Sequence, residues 1–360
     1  MNVLFIGPYR QQDYWGKISR SFINLLSKED IKLVTRPLYY NITNKAEDIG
    51  NIEQYEFNSI NSKDIIIQFG LPMSLNYSGE FKKNIAATMT SSMIKNIGWT
   101  YQLNLFEDVL VFSEQEKEIL KSSGVKSNIK NLITPPIEFD NRMQKIPIDL
   151  RNKFVFYSDA DINTTSGLKQ TLVSYLSEFN VSNNVCLVLF CDQQNSEEYK
   201  KYTELVKKEL DIFHDYRNYA EVVIISTKDQ AAINYAHDNF DCYINVGFNM
   251  NMNMQIFQAF NFMRPCLLLD SCRGFLKSEY PCSVDSIEET CVSPEQRPVP
   301  HLNSGENFWK IPSTKSMKQL MRKISESKNI IDTSKQMICD FNHNHKSELE
   351  KGIKEILCSQ

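Results

Sequence analysis

The sequence predicts an α/β protein made of two Rossmann-like parallel-sheet domains facing across a cleft. Three observations carry this expectation. Short apolar runs alternate with helix-period segments through both halves of the chain, as in buried parallel strands with covering helices. The 360 residues exceed what one core commonly supports. A Pro-Pro break at Pro135 and Pro136, which suits neither a helix nor a sheet interior, separates two sets of elements.

The first strand is Asn2–Gly7, ending at Gly-Pro. The polar loop PYRQQDYWGK follows, then a helix over 18–26 with Ile18, Phe22, Leu25 and Leu26 on one face. The loop has no GxGxxG, and Gly16 alone marks a close backbone approach. Gly16 and Lys17 suit a place beside a ligand phosphate; an ordinary loop with an exposed lysine fits equally. Arg10 and Asp13 are the charged residues here before Lys17. Asp13 suits two roles, orienting an acceptor hydroxyl or capping the turn at Tyr14-Trp15-Gly16. Tyr14 and Trp15 suit stacking on a sugar or base, or packing.

Strands are expected at 31–36, 64–69 (DIIIQF), 83–90, 108–112 (DVLVF) and 128–133, with 41–62 read mostly as loop. The helix Glu114–Ser122 has Ser113 as N-cap and ends at Gly124. The linker runs from Thr134 through Arg151. A second set then begins. It comprises a strand at 153–158 ending in Ser158, a helix at 166–179, the strand Val185–Phe190, a helix at 197–213, the strand Glu221–Ile225 and a helix at 230–237. The stretch DCYINVGFNMNMNMQIFQAFNFMRPCLLLD adds a strand at 241–246, a turn at 247–251, a helix at 252–263 stopped by Pro265, and the strand Cys266–Leu269. Helices at 315–325 and 332–357 close the chain. The expected domains are 1–145, 146–330 and a final helix in 331–360.

Composition excludes several classes. No apolar run approaches the roughly 18 residues of a membrane span. All nine cysteines lie at or after Cys186 and none forms CxxC, which argues for reduced thiols in a cytoplasmic protein and against a zinc site. The net charge of −4 gives polyanion binding no support. Through Lys145 the chain holds 17 Lys plus Arg against 16 Asp plus Glu, so the first half is near neutral. Lys117, Lys121, Lys126, Lys130, Arg142, Lys145, Arg151 and Lys153 suit a phosphate-contacting patch or a set of solvated lysines.

Several stretches, in order, resemble retaining glycosyltransferases of the GT-B fold, family-4 type. They are FIGPYRQQDYWG, DVLVFSEQEKEILKSSGV with ITPPIEFD, KFVFYSDADINTTSGLKQTLVSYLSEF, the DCYINVG stretch and FWKIPSTKSMKQLMRKI. The opening and DIIIQF…GEFKKNI are also similar to glycosyltransferases encoded by tailed phages. The resemblance implies transfer of a sugar from a nucleotide-sugar, UDP being the common nucleotide, with retention, no cofactor and no obligatory metal. It implies an acceptor-binding first domain, a nucleotide-binding second domain and a last helix crossing back. The acceptor is then a glycan, a lipid-linked sugar (for which no basic amphipathic helix of the membrane-docking kind stands out) or a hydroxymethylated pyrimidine in DNA, and the setting the cytoplasm, that of the host for a phage protein.

Two departures stand out. Where such enzymes carry two glutamates eight apart, this chain has Met250 and Gln258; a glutamine still hydrogen-bonds a ribose hydroxyl, a methionine is no anionic contact. Where an Arg-Lys pair neutralises the diphosphate, it has Thr165 and Ser166, with Lys169 a turn later. Hydroxyls at a helix N-terminus hold a phosphate without a full charge. The resemblance thus implies a donor site of Gly16, Lys17, Ser158, Thr164, Thr165, Ser166, Lys169, Asn249, Met250, Asn251, Asn253 and Gln258, with Arg10 and Asp13 as catalytic candidates. A silent GT-B binding module is the alternative that the departures motivate.

Overall fold

The structure is a computed structural model and describes residues 1–40, 49–89, 97–132, 139–150, 152–162, 166–211, 218–247, 254–270, 276, 280–289 and 309–358. The chain divides into two compact units, Met1–Glu138 with His343–Gln360, and Phe139–Asn342.

The first unit contains β1 (Asn2–Gly7), α1 (Tyr14–Leu26), β2 (Lys32–Pro37), α2 (Glu53–Glu56) and β3 (Ile65–Phe69). It continues through β4 (Lys83–Ala87), α3 (Ile97–Leu103), β5 (Asp108–Val111), α4 (Glu114–Ser122) and β6 (Asn128–Asn131). The six strands form one parallel sheet in the order β2-β1-β3-β4-β5-β6. β3 is buried at every position, which explains its unbroken apolar run. Phe5, Phe22 and Phe69 stack between β1, α1 and β3.

Three helices of the first unit differ from the sequence expectation. α1 begins at Tyr14, four residues early, because the Asp13 carboxylate accepts the Gly16 N–H at 3.0 Å and starts the helix there. The short α2 lies within the stretch read as loop. α3 was not anticipated; its IGWTYQL has a glycine and a β-branched threonine, and little periodicity.

The second unit contains β7 (Phe154–Ser158), α5 (Leu168–Glu178), β8 (Val185–Phe190), α6 (Ser196–Asp211), β9 (Glu221–Ile225), α7 (Gln230–Asn239) and β10 (Cys242–Asn245). Then come α8 (Met254–Asn261), β11 (Cys266–Leu269), β12 (Ser283–Val284), β13 (Ser286–Glu289), β14 (Trp309–Pro312) and α9 (Thr314–Glu326). Its parallel sheet runs β12-β11-β10-β7-β8-β9, and β13 pairs with β14 as an antiparallel ribbon. α8 ends before Pro265 is reached. Met263 takes a left-handed φ of 56°, and the Arg264 and Met263 N–H groups return to Ala259 and Phe260, which closes the last turn. Arg264 then donates at 2.7 Å to both the His237 and Asp238 carbonyls, covering the end of α7.

The last helix, α10 (Lys328–Cys358), belongs to both units, changing at His343. Asn342 donates to the Phe260 carbonyl at 2.7 Å, and Lys83 donates to the Ile356 carbonyl at 3.2 Å. Among the described residues no helix is long and apolar enough to cross a membrane.

Candidate functional site

Strand order locates the crevices. In the second sheet the chain moves outward from β7 through β8 to β9, then returns to β10 on the other side of β7. Such a switch point opens a crevice at the carboxyl ends of the two strands, where ligands of doubly wound sheets bind. At the end of β7, buried Ser158 donates to the Ile244 carbonyl at 2.9 Å and accepts the Ala160 N–H at 3.2 Å, tying β7 to β10. Asp159 follows. The Tyr243 hydroxyl donates to its carboxylate, and Asn245 donates to the Tyr243 oxygen at 3.1 Å. Burial pushes the Asp159 carboxyl above the usual range, and the tyrosine bond opposes that shift.

The next residues lead into α5. Tyr199 donates to the Ala160 carbonyl at 2.8 Å. The Asp161 carbonyl accepts from the Ser166 hydroxyl, and its carboxylate pairs with Lys228 from the loop between β9 and α7. The Ser166 oxygen accepts the Leu168 N–H at 3.3 Å. Gly167, with φ +78°, occupies the cap position of α5, and no side chain caps there. Ser166, one residue before the cap position, thus supplies a hydroxyl to the first N–H of the helix. A Cβ at Gly167 would lie 2.7 Å from the Val246 carbonyl oxygen, so only glycine lets the helix opening press onto the end of β10. The helix start therefore sits at the switch point, its first N–H held by Ser166 and the cap position itself a glycine without a side chain, a favourable place for an anion.

The other predicted donor residues separate clearly. Thr164, Thr165, Asn249, Met250, Asn251 and Asn253 lie outside the described residues. Lys169 pairs with Glu209 of α6 at 3.1 Å on an exposed flank, so its charge serves that carboxylate. Gln258 is buried, and its amide nitrogen donates to the Asp140 carbonyl and, at 3.0 Å, to Asn234. Asn234 also donates to the Asp140 and Arg142 carbonyls at 2.6 and 2.8 Å. Gln258 thus fastens residues 140–142 to α7 and α8. Gln258→Leu is expected to cost about 1–3 kcal/mol by leaving the Asn234 and Asp140 oxygens short of a donor. Urea unfolding beside nucleotide titration checks this: lost stability with unchanged affinity is the expected pair.

In the first unit the switch point falls between β1 and β3. The β1–α1 loop is held by Arg20, whose guanidinium donates at 2.7 Å to both the Tyr9 and Gln11 carbonyls. Buried Gly16 presses against Gln11. Trp15 lies 5.2 Å from Phe69 and 6.1 Å from Tyr40, ring centre to ring centre. Tyr14 is raised by burial, and its hydroxyl has no hydrogen-bond partner among the described residues. Arg10 forms a two-pronged pair with Glu56 at 2.7 and 2.8 Å and reaches Glu53 at 3.2 Å. That pairing holds the Glu56 carboxyl below its usual range. Arg10 is thus committed to α2, and Asp13 to the N-cap. Lys17 is exposed with no ion pair among the described residues.

Asp159, Tyr243 and Lys228 were missed by the sequence reading. Asp159 had the one usable signal, a carboxylate directly after a buried strand; Lys228 had none. Among the described residues, no three His, Cys, Asp or Glu side chains converge as a metal site.

No protein-family model matches the sequence, and no curated protein matches it. Solved structures do resemble it in fold. A trehalose-6-phosphate protein from E. coli bound with UDP-2-fluoro glucose aligns over 99% of this chain and 98% of its own, at 9% identity and TM-score 0.63. Sucrose-phosphate synthase from Thermosynechococcus elongatus aligns over 100% of both chains, at 8% identity and TM-score 0.62. Anabaena HepE in complex with UDP and glucose aligns over 100% of both, at 11% identity and TM-score 0.59. With two parallel six-stranded sheets flanked by helices, and these likenesses along its whole length, the protein has the GT-B fold.

Proposed function

We propose that the protein is a glycosyltransferase that takes a sugar from a UDP-sugar to an acceptor hydroxyl with retention, and that the nucleotide binds at the β7–β10 switch point. The observation that carries this is the opening of α5, pressed by Gly167 onto the end of β10 and beside Asp159, Ser166 and Lys228. A uridine diphosphate there would meet helix N–H groups aligned with the helix dipole. The similarity to structures described with UDP bound supports the choice of nucleotide. The family-4 resemblance supports retention, in which the leaving phosphate takes the acceptor proton. The leaving diphosphate gains negative charge in the transition state, and stabilising that charge is the site's main task.

The acceptor in this reading is a carbohydrate hydroxyl. The exposed-side aromatics Trp15 and Tyr40 at the β1–β3 switch point suit the apolar face of a sugar. A DNA acceptor has less support: Lys117, Lys121, Lys130, Arg142 and Lys153, five of the eight residues of the basic set, are paired with carboxylates. The seven described cysteines are free thiols, five of them buried, which supports a reducing cytoplasm.

Incubation with a panel of nucleoside-diphosphate sugars tests the proposal. The expected result is thermal stabilisation by UDP and a UDP-sugar, slow release of UDP, and retained anomeric configuration by NMR once an acceptor is supplied. Stabilisation without any turnover would instead mark a silent binding module, and no response to any nucleotide contradicts the site itself. Salt-sensitive retention on hydroxymethylated duplex would move the acceptor to DNA.

A further inference from the structure

We propose that Lys228 is the cation that meets the nucleotide's diphosphate, exchanging Asp161 for phosphate oxygens when the nucleotide binds. The inference rests on the nucleotide reading above. It answers a specific gap: a diphosphate needs a positive partner, and the chain has Thr165 and Ser166 where resemblance leads one to expect cations.

Lys228 comes from a different part of the sheet edge, the loop between β9 and α7. Its ammonium rests on Asp161. The carbonyl of that same residue holds Ser166, whose hydroxyl holds the first N–H of α5. A chain of direct contacts therefore runs from the ammonium to the helix start. Burial raises the Asp159 carboxyl, and after the Tyr243 bond the ammonium opposes that rise, so its field reaches the end of β7.

The pair is built to open. The Asp161 side chain is 58% exposed and that of Lys228 22%, and ion pairs this exposed contribute little net stability. A diphosphate offers more charge and more acceptor oxygens than one carboxylate. Lys169, the other lysine near the α5 opening, pairs with Glu209 of α6 and makes none of the Asp161–Ser166 contacts. Asp161 then acts as a place-holder that keeps the ammonium at the site when no nucleotide is bound.

Titration calorimetry of the full chain with UDP and with uridine tests the idea. Lys228→Met is expected to weaken UDP about tenfold to a hundredfold, the worth of one hydrogen bond to a charged group, and to leave uridine unchanged. Lys228→Arg keeps the charge and is expected to bind UDP within about threefold of the natural protein, the lesser loss reflecting its different shape. Asp161→Asn breaks the same ion pair but frees the ammonium, so it is expected to bind UDP at least as tightly as the natural protein. A purely structural role predicts instead that Lys228→Met and Asp161→Asn fall together, for UDP and uridine alike, and that result overturns the proposal. So does unchanged UDP affinity in Lys228→Met. Absence of UDP binding by the natural protein is a different failure, since it removes the nucleotide reading itself.

Discussion

Acidification is expected to remove about 1.4 kcal/mol of stability per pH unit between about pH 6 and pH 4, through one buried side chain. His237 is fully buried on α7, and burial lowers its pKa from 6.5 to about 3. Its Nδ1 lies 2.8 Å from the Tyr157 hydroxyl and its Nε2 3.3 Å from the Gln255 amide oxygen. The Gln255 oxygen makes Nε2–H the donor, so Nδ1 accepts from Tyr157 and the ring is neutral. The sign follows from these states. The unfolded chain takes a proton near pH 6.5 and the folded one only near pH 3, so stability is intact above about 6.5 and lost as pH falls. The loss reaches about 4 kcal/mol at pH 3 and levels off below it. Urea unfolding across pH 4–7 for the natural protein and His237→Gln is the check. The variant should be weaker at pH 7, for it gives up the Tyr157 bond, but its acid slope should be shallower by the stated amount. Parallel slopes would show that His237 is not the group responsible.

Gly16→Ala is expected to cost about 3 kcal/mol, at the upper end of what forced overpacking costs. A Cβ at residue 16 would stand 1.9 Å from the Gln11 carbonyl oxygen and 2.6 Å from its carbon. Backbone, not a mobile side chain, occupies that space, so rotamer change gives no relief. Gln11 is in turn held by Arg20 through the same carbonyl and by its own N–H to Pro8 at 2.8 Å. Moving it loosens the whole β1–α1 loop that carries Asp13, Tyr14 and Trp15. Thermal unfolding followed by circular dichroism reads the cost; a change below about 0.5 kcal/mol would mean the loop shifts freely, against its bracing.

Both residues show what sequence could and could not convey. Gly16 was legible as a close approach because a lone glycine in a strand–helix loop has few other purposes. The strands were legible where burial on both faces leaves continuous apolar runs, as in β3 and β8. Ser113 was legible because its hydroxyl acts three residues away, accepting the Glu116 N–H at 3.1 Å. Asp13 uses the same chemistry, but the sequence leaves its role open, since its cap sits in polar sequence that reads as loop. Gln258 and Lys228 were illegible for another reason. Gln258 is assigned its duty by Asp140, 118 residues earlier, and Lys228 by Asp161, 67 residues earlier. No local period encodes such pairings.

The most direct test of the account is a crystal structure of the protein with UDP. The account places the diphosphate against the first turn of α5, between the ends of β7 and β10, with Lys228 turned from Asp161 onto a phosphate oxygen. UDP seated elsewhere in the second unit, or with its phosphates away from Gly167 and Leu168, would contradict it.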